Sequence, residues 1–211
     1  MELIRFFIER RAEITLMTFE HLGLVLTSTL IAVAIGFPLG VVLTRREDLA
    51  SPILGFANVM QTVPSLALFG FLIPIPFVGG IGSKTAIIAL VLYALLPILR
   101  NTYTGIQGVD PAVLEAGRGM GMTNLQRLRL IEIPLAFPTI VAGIRIAAVV
   151  SVGLATIAAA IGAGGLGNFI FRGLAMVDNQ LILAGAIPAA ALALVADALL
   201  GRLQRRMAAR L

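Results

Sequence analysis

The residues from Glu115 to Pro134 read EAGRGMGMTNLQRLRLIEIP and lie between two long apolar segments of this 211-residue chain. The stretch is polar and basic, favours helices, and is far longer than a simple connection between two helices requires. A segment of this length can form short helices and bind a protein in the aqueous phase. It therefore indicates a membrane subunit that is driven by a soluble partner.

The composition indicates a membrane protein. Apolar residues make up 59% of the chain, charged residues make up 13%, and the mean hydropathy is +1.00. Soluble domains are nearer about half apolar and about a quarter charged. Cysteine is absent and His21 is the single histidine, which excludes disulfides and argues against metal sites and catalytic triads. We therefore expect no bound metal or cofactor and no enzymatic activity in this chain.

Five segments are long and apolar enough to cross a bilayer, which takes about 20 residues. They are His21–Leu43, Ile53–Phe77, Thr85–Leu99 with an extension to about Gly108, Leu135–Ile161, and Leu181–Leu200. The second is interrupted by Pro64, Pro74 and Pro76, and a short or re-entrant sixth piece near Gly164–Leu174 is an alternative. No linker divides the sequence. We predict an all-α membrane bundle of about five transmembrane helices in a single domain, residues 1–211.

The first residues mix apolar and charged side chains. This pattern predicts a helix at the membrane surface over residues 2–13, with a frayed polar tail as the alternative. The start lacks the basic, apolar and small-residue pattern of a cleaved signal peptide.

The positions of the basic residues predict the orientation, because arginine and lysine are enriched in cytoplasmic loops. With five spans, the side that holds the first and third loops and the C-terminus carries ten arginines: Arg45, Arg46, Arg100, Arg118, Arg127, Arg129, Arg202, Arg205, Arg206 and Arg210. The opposite side carries five basic residues: Arg5, Arg10, Arg11, Lys84 and Arg172. We expect a multi-pass protein of the plasma or inner membrane, with its N-terminus outside and the Glu115 loop and C-terminus in the cytoplasm. No soluble basic face remains for a nucleic acid.

The loop carries a spaced motif. E-A-G at residues 115–117 is followed after three residues by Gly121 and after nine more by I-E-I-P at residues 131–134. This resembles the EAA motif in the cytoplasmic loop of ABC importer permeases, in which E-A-A, Gly and I-x-L-P recur at the same spacing. Gly117 and Ile133 are mild departures from that pattern.

The resemblance implies a coupling loop, residues 109–134, that transmits the closure of an ATPase. The candidate coupling residues are Glu115, Ala116, Gly117, Gly121, Arg127, Ile131 and Pro134. The implied partners are two copies of an ATP-binding cassette ATPase, which uses ATP and Mg²⁺, a second permease copy or paralogue, and an extracytoplasmic substrate-binding protein. This chain has no G-x-x-x-x-G-K-[ST] phosphate loop of its own. The alternative is an amphipathic loop on lipid headgroups, which Arg127 and Arg129 would also suit.

Local signals predict two short helices within the loop. Asp110, followed by a proline, should cap the first helix. The glycines that follow allow a sharp turn, and Thr123 or Asn124 can cap a second helix over residues 125–130. We expect Pro134 to separate this second helix from the next span.

Similarity to one subfamily extends over most of the chain. The matching stretches are Glu20-His21-Leu22, IGFPLG at 35–40, QTVPSLA at 61–67, LPILRNTY at 96–103, and IGAGGLG at 161–167. They resemble the permeases of osmoprotectant uptake systems, which import glycine betaine, choline, carnitine and related quaternary amines. A methionine-type amino-acid permease is the neighbouring alternative. An ion-coupled secondary transporter would call for inverted repeats and acidic pairs, which are not visible here.

Polar residues within the spans are candidates for the translocation path, with interhelical packing as the alternative. On the second span Asn58, Gln61, Thr62 and Ser65 have a helical spacing that predicts one polar face. On the third span the candidates are Tyr93, Asn101, Thr102 and Tyr103. Quaternary amines are best held by aromatic cages, and this chain has no Trp and two Tyr. We therefore expect the binding protein to supply affinity and the permease to offer a low-affinity passage.

Arg145 lies within the fourth span, where a lone charge is costly. We predict a structural role, with Glu132 or a helix C-terminus as its partner, because a guanidinium would repel a quaternary ammonium. Asp197 should pair with a nearby arginine. The glycine-rich stretch Gly162–Gly167 should form a flexible external turn that could contact a docking protein.

Overall fold

The computed structural model describes residues 2–209, and within them there are helices and turns but no strand. The α-helices in that range are α1 (Glu2–Glu9), α2 (Arg11–Leu43), α3 (Glu47–Thr62), α4 (Ser65–Leu72), α5 (Ser83–Gln107), α6 (Pro111–Gly119), α7 (Asn124–Arg127), α8 (Ile133–Ala158), α9 (Gly167–Met176) and α10 (Asn179–Ala208). A π-helical turn, Leu128–Glu132, joins α7 to α8, and a 3₁₀ turn, Ala159–Ile161, follows α8. The predicted all-α fold is confirmed.

Four helical stretches are individually long and apolar enough to span a membrane. They are Arg11–Leu43, Ser83–Gln107, Asn124–Ile161 and Asn179–Ala208. The pair α3–α4 meets the same test together but is bent by 104° at its break. The described chain thus has up to five spans, in agreement with the predicted number.

The bend between α3 and α4 occurs at Val63 and Pro64. A residue that precedes proline avoids the helical conformation, and Val63 is extended, with φ −68° and ψ 127°. The carbonyl of Val63, which the break leaves outside the helix, accepts a hydrogen bond from the hydroxyl of Tyr93 on α5. The amide nitrogen of Gln61 in turn donates to the backbone carbonyl of Tyr93 over 3.0 Å. The break is therefore held against α5.

Some boundaries differ from the predicted ones. The surface helix α1 ends at Glu9 rather than near residue 13, and α2 begins at Arg11, ten residues before the predicted start of the first span. The first turns of α2 are polar, so hydropathy places the span later than the helix actually begins. The sixth piece, α9, has ten residues, which is too short to span a bilayer.

Helices α2 and α5 run parallel. A Cβ added to Gly36 would lie 2.9 Å from Ile98 Cγ2, and one added to Gly40 would lie 2.7 Å from Thr102 Cβ. Residue numbers rise together along this contact, so the two helices point in the same direction. The chain between them must return across the membrane, and α3–α4 is the segment that does so.

Helices α5 and α8 run antiparallel, again in contact through glycine. Gly105 faces Thr139, and Gly143 faces the carbonyl of Pro97 and the side chain of Asn101. The absence of side chains on these glycines lets the two backbones approach closely.

We expect Gly143→Ala to destabilise the protein by about 1–3 kcal/mol, the usual cost of overpacking. A Cβ there would lie 2.5 Å from the carbonyl oxygen of Pro97 and 2.6 Å from Asn101 Cβ, and backbone cannot move aside cheaply. Gly153→Ala on the same helix is the matched control, because its Cβ would meet nothing within 4 Å. Thermal unfolding in detergent measures both variants, and equal midpoints would contradict the close packing.

Pro134 does not separate the second loop helix from the next span, contrary to the prediction. Helix α7 continues through the π-helical turn into α8 without interruption. The N–H of Ile133 donates to the carbonyl of Leu128, five residues back. This wider turn brings the chain to Pro134 at the start of α8, where a missing N–H is tolerated.

The helix ends are grouped at two opposite faces of the bundle. At one face Arg45, beyond the end of α2, pairs with Glu132 of the π-helical turn. At the other face the N–H of Gly82 donates to the carbonyl of Ile161 over 2.8 Å. The segment from Asp110 to Pro134, called the elbow below, lies at the first of these faces.

Candidate functional site

The elbow begins with helix α6, which is capped as the sequence predicts. The carboxylate of Asp110 accepts a hydrogen bond from the N–H of Ala112 over 2.8 Å, and Pro111 occupies the first turn. Glu115 and Ala116 are exposed on this helix. These two candidate coupling residues are thus available to a partner.

A tight turn separates the two helices of the elbow. Gly121 has φ +77°, a left-handed conformation that glycine adopts without strain. Thr123 then caps α7 through a capping box. Its hydroxyl accepts from the N–H of Gln126, and the Gln126 side chain accepts from the Thr123 N–H over 2.7 Å. The turn geometry is therefore set by local interactions.

Three of the candidate coupling residues lie inside the elbow. Gly117 is buried, and a Cβ there would lie 2.8 Å from the terminal methyl of Ile131. Arg127 is also buried and donates to the side chain of Asn124 over 2.8 Å. The alternative in which Arg127 rests on lipid headgroups is wrong, because this residue is 6% exposed and the stem of its side chain lies beside Gly117 of α6. These residues hold the shape of the elbow.

The outer surface of the elbow is partly apolar. Val113, Met120, Leu125 and Leu130 are exposed, Met120 by 74% and Leu130 by 65%. Several exposed large apolar side chains on one short segment, together with the exposed carboxylate of Glu115, are typical of a surface that another protein covers.

An ion pair connects the elbow to the bundle. Glu132 is 1% exposed, and its carboxylate accepts a hydrogen bond from the guanidinium of Arg45. A buried carboxylate needs such a partner. The elbow is therefore connected to the end of α2 by this ion pair as well as to α8 by the continuous helix.

A groove of about 410 Å³ lies between α3, α5 and α8. Its lining consists of Gln61, Tyr93, Leu96, Pro97, Arg100, Asn101, Ile146, Val150 and Leu154. Three of the eight candidate path residues, Gln61, Tyr93 and Asn101, meet here. They come from two separate spans, so only the folded chain brings them together.

The other path candidates lie outside this lining. The predicted single polar face of the second span is wrong, because the 104° bend separates Ser65 on α4 from Asn58 and Thr62 on α3. The hydroxyl of Thr62 donates to a carbonyl of its own helix over 2.7 Å. Tyr103 packs against an apolar cluster of α2, α3 and α5, since it points about 200° around the helix from Asn101.

Arg145 pairs with Asp197 rather than with Glu132. Its Nε lies 2.6 Å from Oδ1 and its Nη2 lies 2.8 Å from Oδ2 of Asp197. Glu132 is 13 residues earlier, about 20 Å along the helix, which explains why the predicted partner is wrong. The pair lines a second groove of about 320 Å³, which shares Ile146 and Val150 with the first.

The glycine-rich turn at residues 162–167 is anchored to α2. Glu20 accepts a hydrogen bond from the N–H of Gly165 over 2.9 Å. The neighbouring His21 is fully buried, and its Nε2 lies 3.1 Å from the carbonyl of Val152. Three glycines of the turn have positive φ. The structure thus shows a braced turn where the sequence predicted a flexible one.

Sequence reasoning missed three features of these sites: the Arg45–Glu132 pair, the Glu20 contact and the position of Arg100 in the groove. The sequence does carry a signal for the Arg45–Glu132 pair, because Glu132 is an acidic residue between apolar neighbours. Within residues 2–209 no three His, Asp or Glu side chains are grouped as a metal site would require.

Comparison with known proteins shows close relatives over nearly the full length. The family model described as binding-protein-dependent transport system inner membrane component matches residues 17–209. Carnitine transport permease protein OpuCB of Listeria monocytogenes is 47% identical, over 97% of this chain and 93% of the relative. Choline transport system permease protein OpuBB of Bacillus subtilis is 44% identical, over 97% and 93% respectively. Osmoprotectant import permease protein OsmW of Salmonella typhimurium is 47% identical, over 97% and 96%. The resemblance predicted from the sequence is confirmed.

Solved structures share the fold. A chain of the inward-facing MetNI methionine ABC transporter matches with a TM-score of 0.80 and 26% identity, over 90% of this chain and 93% of that chain. A chain from an amino acid ABC transporter with histidines matches with a TM-score of 0.69 and 21% identity, over 93% and 96%. The second likeness concerns the fold alone.

Proposed function

The chain belongs to the family of binding-protein-dependent transport system inner membrane components, and we propose that it is the permease of an ATP-driven importer for quaternary-amine osmoprotectants. Glycine betaine, choline and carnitine are the substrates we infer. The observation that carries this proposal is the identity of 44–47%, over 97% of the chain, to permeases named for such transport. The methionine transporter shares the fold at lower identity, and a shared fold does not define a substrate.

Membership of the family implies a membrane subunit that works with an ATPase and a substrate-binding protein. We further infer that two ATPase copies, which bind ATP and Mg²⁺, act on two permeases, either identical or paralogous. The exposed face of the elbow supports the ATPase contact, since it combines Glu115 with apolar side chains. The groove is only partly enclosed by this chain, which supports a second permease that completes the path.

We infer that the elbow and the C-terminus face the cytoplasm and that the N-terminus lies outside. Two observations support this orientation. Ten arginines belong to the side of the elbow and five basic residues to the other side. The ion pair between Arg45 and Glu132 also joins two of the predicted cytoplasmic segments.

The proposed mechanism is alternating access driven through the elbow. The stretch Asn124–Ile161 is helical without a break, so a displacement of the elbow reaches Ile146 and Val150 in the groove wall. Closure of the ATPases around ATP would turn the grooves outward, and hydrolysis would restore the inward state. Tyr93 is the single aromatic residue in the groove lining, which supports low-affinity passage with capture by the binding protein.

Reconstitution tests this function. The permease would be purified with its co-eluting subunits, inserted into vesicles, and supplied with binding protein and ATP. We expect uptake of labelled glycine betaine, choline or carnitine that requires both ATP and the ATPase. Uptake of methionine instead would favour the amino-acid alternative, and accumulation without an ATPase would overturn the importer assignment.

A further inference from the structure

The groove contains a guanidinium that has no partner. Arg100 lines the groove beside Asn101, and its side chain is exposed. It makes no ion pair or side-chain hydrogen bond with any residue in the range 2–209. By contrast, Arg145 is held by both oxygens of Asp197. Arg100 lines the first groove and Arg145 lines the second. Of these two arginines, Arg100 is the one that is free to bind a ligand.

Arg100 also lies within α5, one of the helices that are long and apolar enough to span a membrane. It is seven residues before the end of α5 at Gln107, which corresponds to about 10 Å along the helix axis. Charged residues within spans face water-filled cavities or the bundle interior and mark the paths of substrates and ions. The groove provides such a cavity for this side chain.

Two residues of the groove lining carry amide side chains, Gln61 and Asn101. Gln61 donates through Nε2 to the carbonyl of Tyr93 over 3.0 Å, and Asn101 donates through Nδ2 to the carbonyl of Pro97 over 2.8 Å. A carbonyl oxygen only accepts, so the nitrogen of each amide must face it. Gln61 Oε1 and Asn101 Oδ1 then have no donor among the described residues, and both carry partial negative charge.

The groove thus combines a free positive group with two negative dipoles. A quaternary ammonium has no N–H and is held by partial negative charge around it, whereas a carboxylate pairs in two-pronged fashion with a guanidinium. A small zwitterion with both groups, such as glycine betaine or carnitine, matches this arrangement. Choline carries a hydroxyl in place of the carboxylate and would leave Arg100 unpaired.

We propose that Arg100 binds the carboxylate of zwitterionic quaternary amines in the groove, and that this contact makes the permease favour them over choline. The amide oxygens of Gln61 and Asn101 receive the ammonium end. This inference rests on the proposed function and adds a substrate preference to it.

The test compares uptake of glycine betaine and choline by reconstituted importers that share the same ATPase and binding protein. Arg100→Gln should lower glycine betaine uptake relative to choline uptake by about tenfold, the effect expected when one charge-assisted hydrogen bond is lost. Selection by the binding protein is the same in every sample, so a change in this ratio reports on the permease. Arg202→Gln, an exposed arginine on α10 outside both groove linings, should leave the ratio unchanged.

Arg100→Lys keeps the positive charge but cannot make the two-pronged contact. Its ratio of glycine betaine uptake to choline uptake should lie between those of the wild type and Arg100→Gln. If Arg100→Gln fails to assemble, Arg100→Lys tests the proposal by itself. An uptake ratio of Arg100→Lys equal to that of the wild type would overturn the proposal. Equal losses of both substrates in Arg100→Gln would overturn the inference alone. A wild-type importer that takes up neither substrate would overturn the proposed function and the inference with it.

Discussion

Replacement of Glu115 by lysine should lower ATP-driven uptake at least about tenfold, the size of effect seen when a charge is lost from a protein interface. Glu115 is exposed on α6 and makes no ion pair with any residue between 2 and 209. Its replacement removes no charge contact within the described chain, so membrane insertion and folding should be unchanged. The loss would arise where the reversed charge meets the ATPase. Uptake by vesicles and co-purification of the ATPase measure it.

Glu47→Lys is the matched control for this prediction. Glu47 is also exposed, at the start of α3 on the same face of the bundle, but it lies outside the elbow. The Glu47→Lys variant should retain most of the ATP-driven uptake. Wild-type uptake in Glu115→Lys would show that this face of α6 does not transmit motion.

Substitutions of Gly121 test the coupling role of the elbow independently of Glu115. Its φ of +77° strains a β-branched residue, although a Cβ would meet nothing within 4 Å. Gly121→Val should therefore distort the turn and impair coupling, whereas Gly121→Asn should be tolerated, because asparagine adopts the left-handed conformation more readily. Equal uptake by these two variants would contradict the role of the turn.

Arg45→Ala should destabilise the protein by about 1–3 kcal/mol, the usual cost of leaving one buried polar group without its partner. The two partners are not equivalent. The side chain of Glu132 is 2% exposed, and that of Arg45 is 44% exposed. Removal of the arginine leaves a carboxylate buried without a cation, whereas Glu132→Gln leaves an arginine that can reach water. We therefore expect Glu132→Gln to cost less than Arg45→Ala, as measured by unfolding in detergent.

A double-mutant cycle measures the interaction between Arg45 and Glu132. Arg45→Ala combined with Glu132→Gln should be more stable than Arg45→Ala alone, because no buried charge remains. Arg46→Ala is the control, since Arg46 is the exposed neighbour and forms no ion pair in the described range. A larger cost for Glu132→Gln than for Arg45→Ala would mean that the carboxylate is not buried as the structure shows it.

Much of the elbow was predictable because its interactions are local. The Asp110 cap, the left-handed Gly121 and the Thr123 cap each depend on residues within three or four positions along the chain. Such contacts form wherever the local sequence allows them. The same reasoning was wrong about Pro134, because a π-helical turn precedes the proline, and such turns are rare within α-helices.

The partners of the charged residues were not predictable in the same way. Arg145 and Asp197 are 52 residues apart, and Arg45 and Glu132 are 87 apart. Hydropathy indicates that a charge within a span needs a partner, but several candidates satisfy that requirement equally. Which one pairs depends on the distances between packed helices.

The linear order of residues was sufficient to establish the membrane class, the number of spans, the family and the helical elbow, because hydropathy, spacing and capping act along the chain. The packed bundle decided the rest: the parallel α2 and α5, the groove shared by Gln61, Tyr93 and Asn101, and the ion pairs. These features arise where glycine faces and proline breaks set the approach of distant helices. Side chains far apart in sequence meet only after those helices have packed.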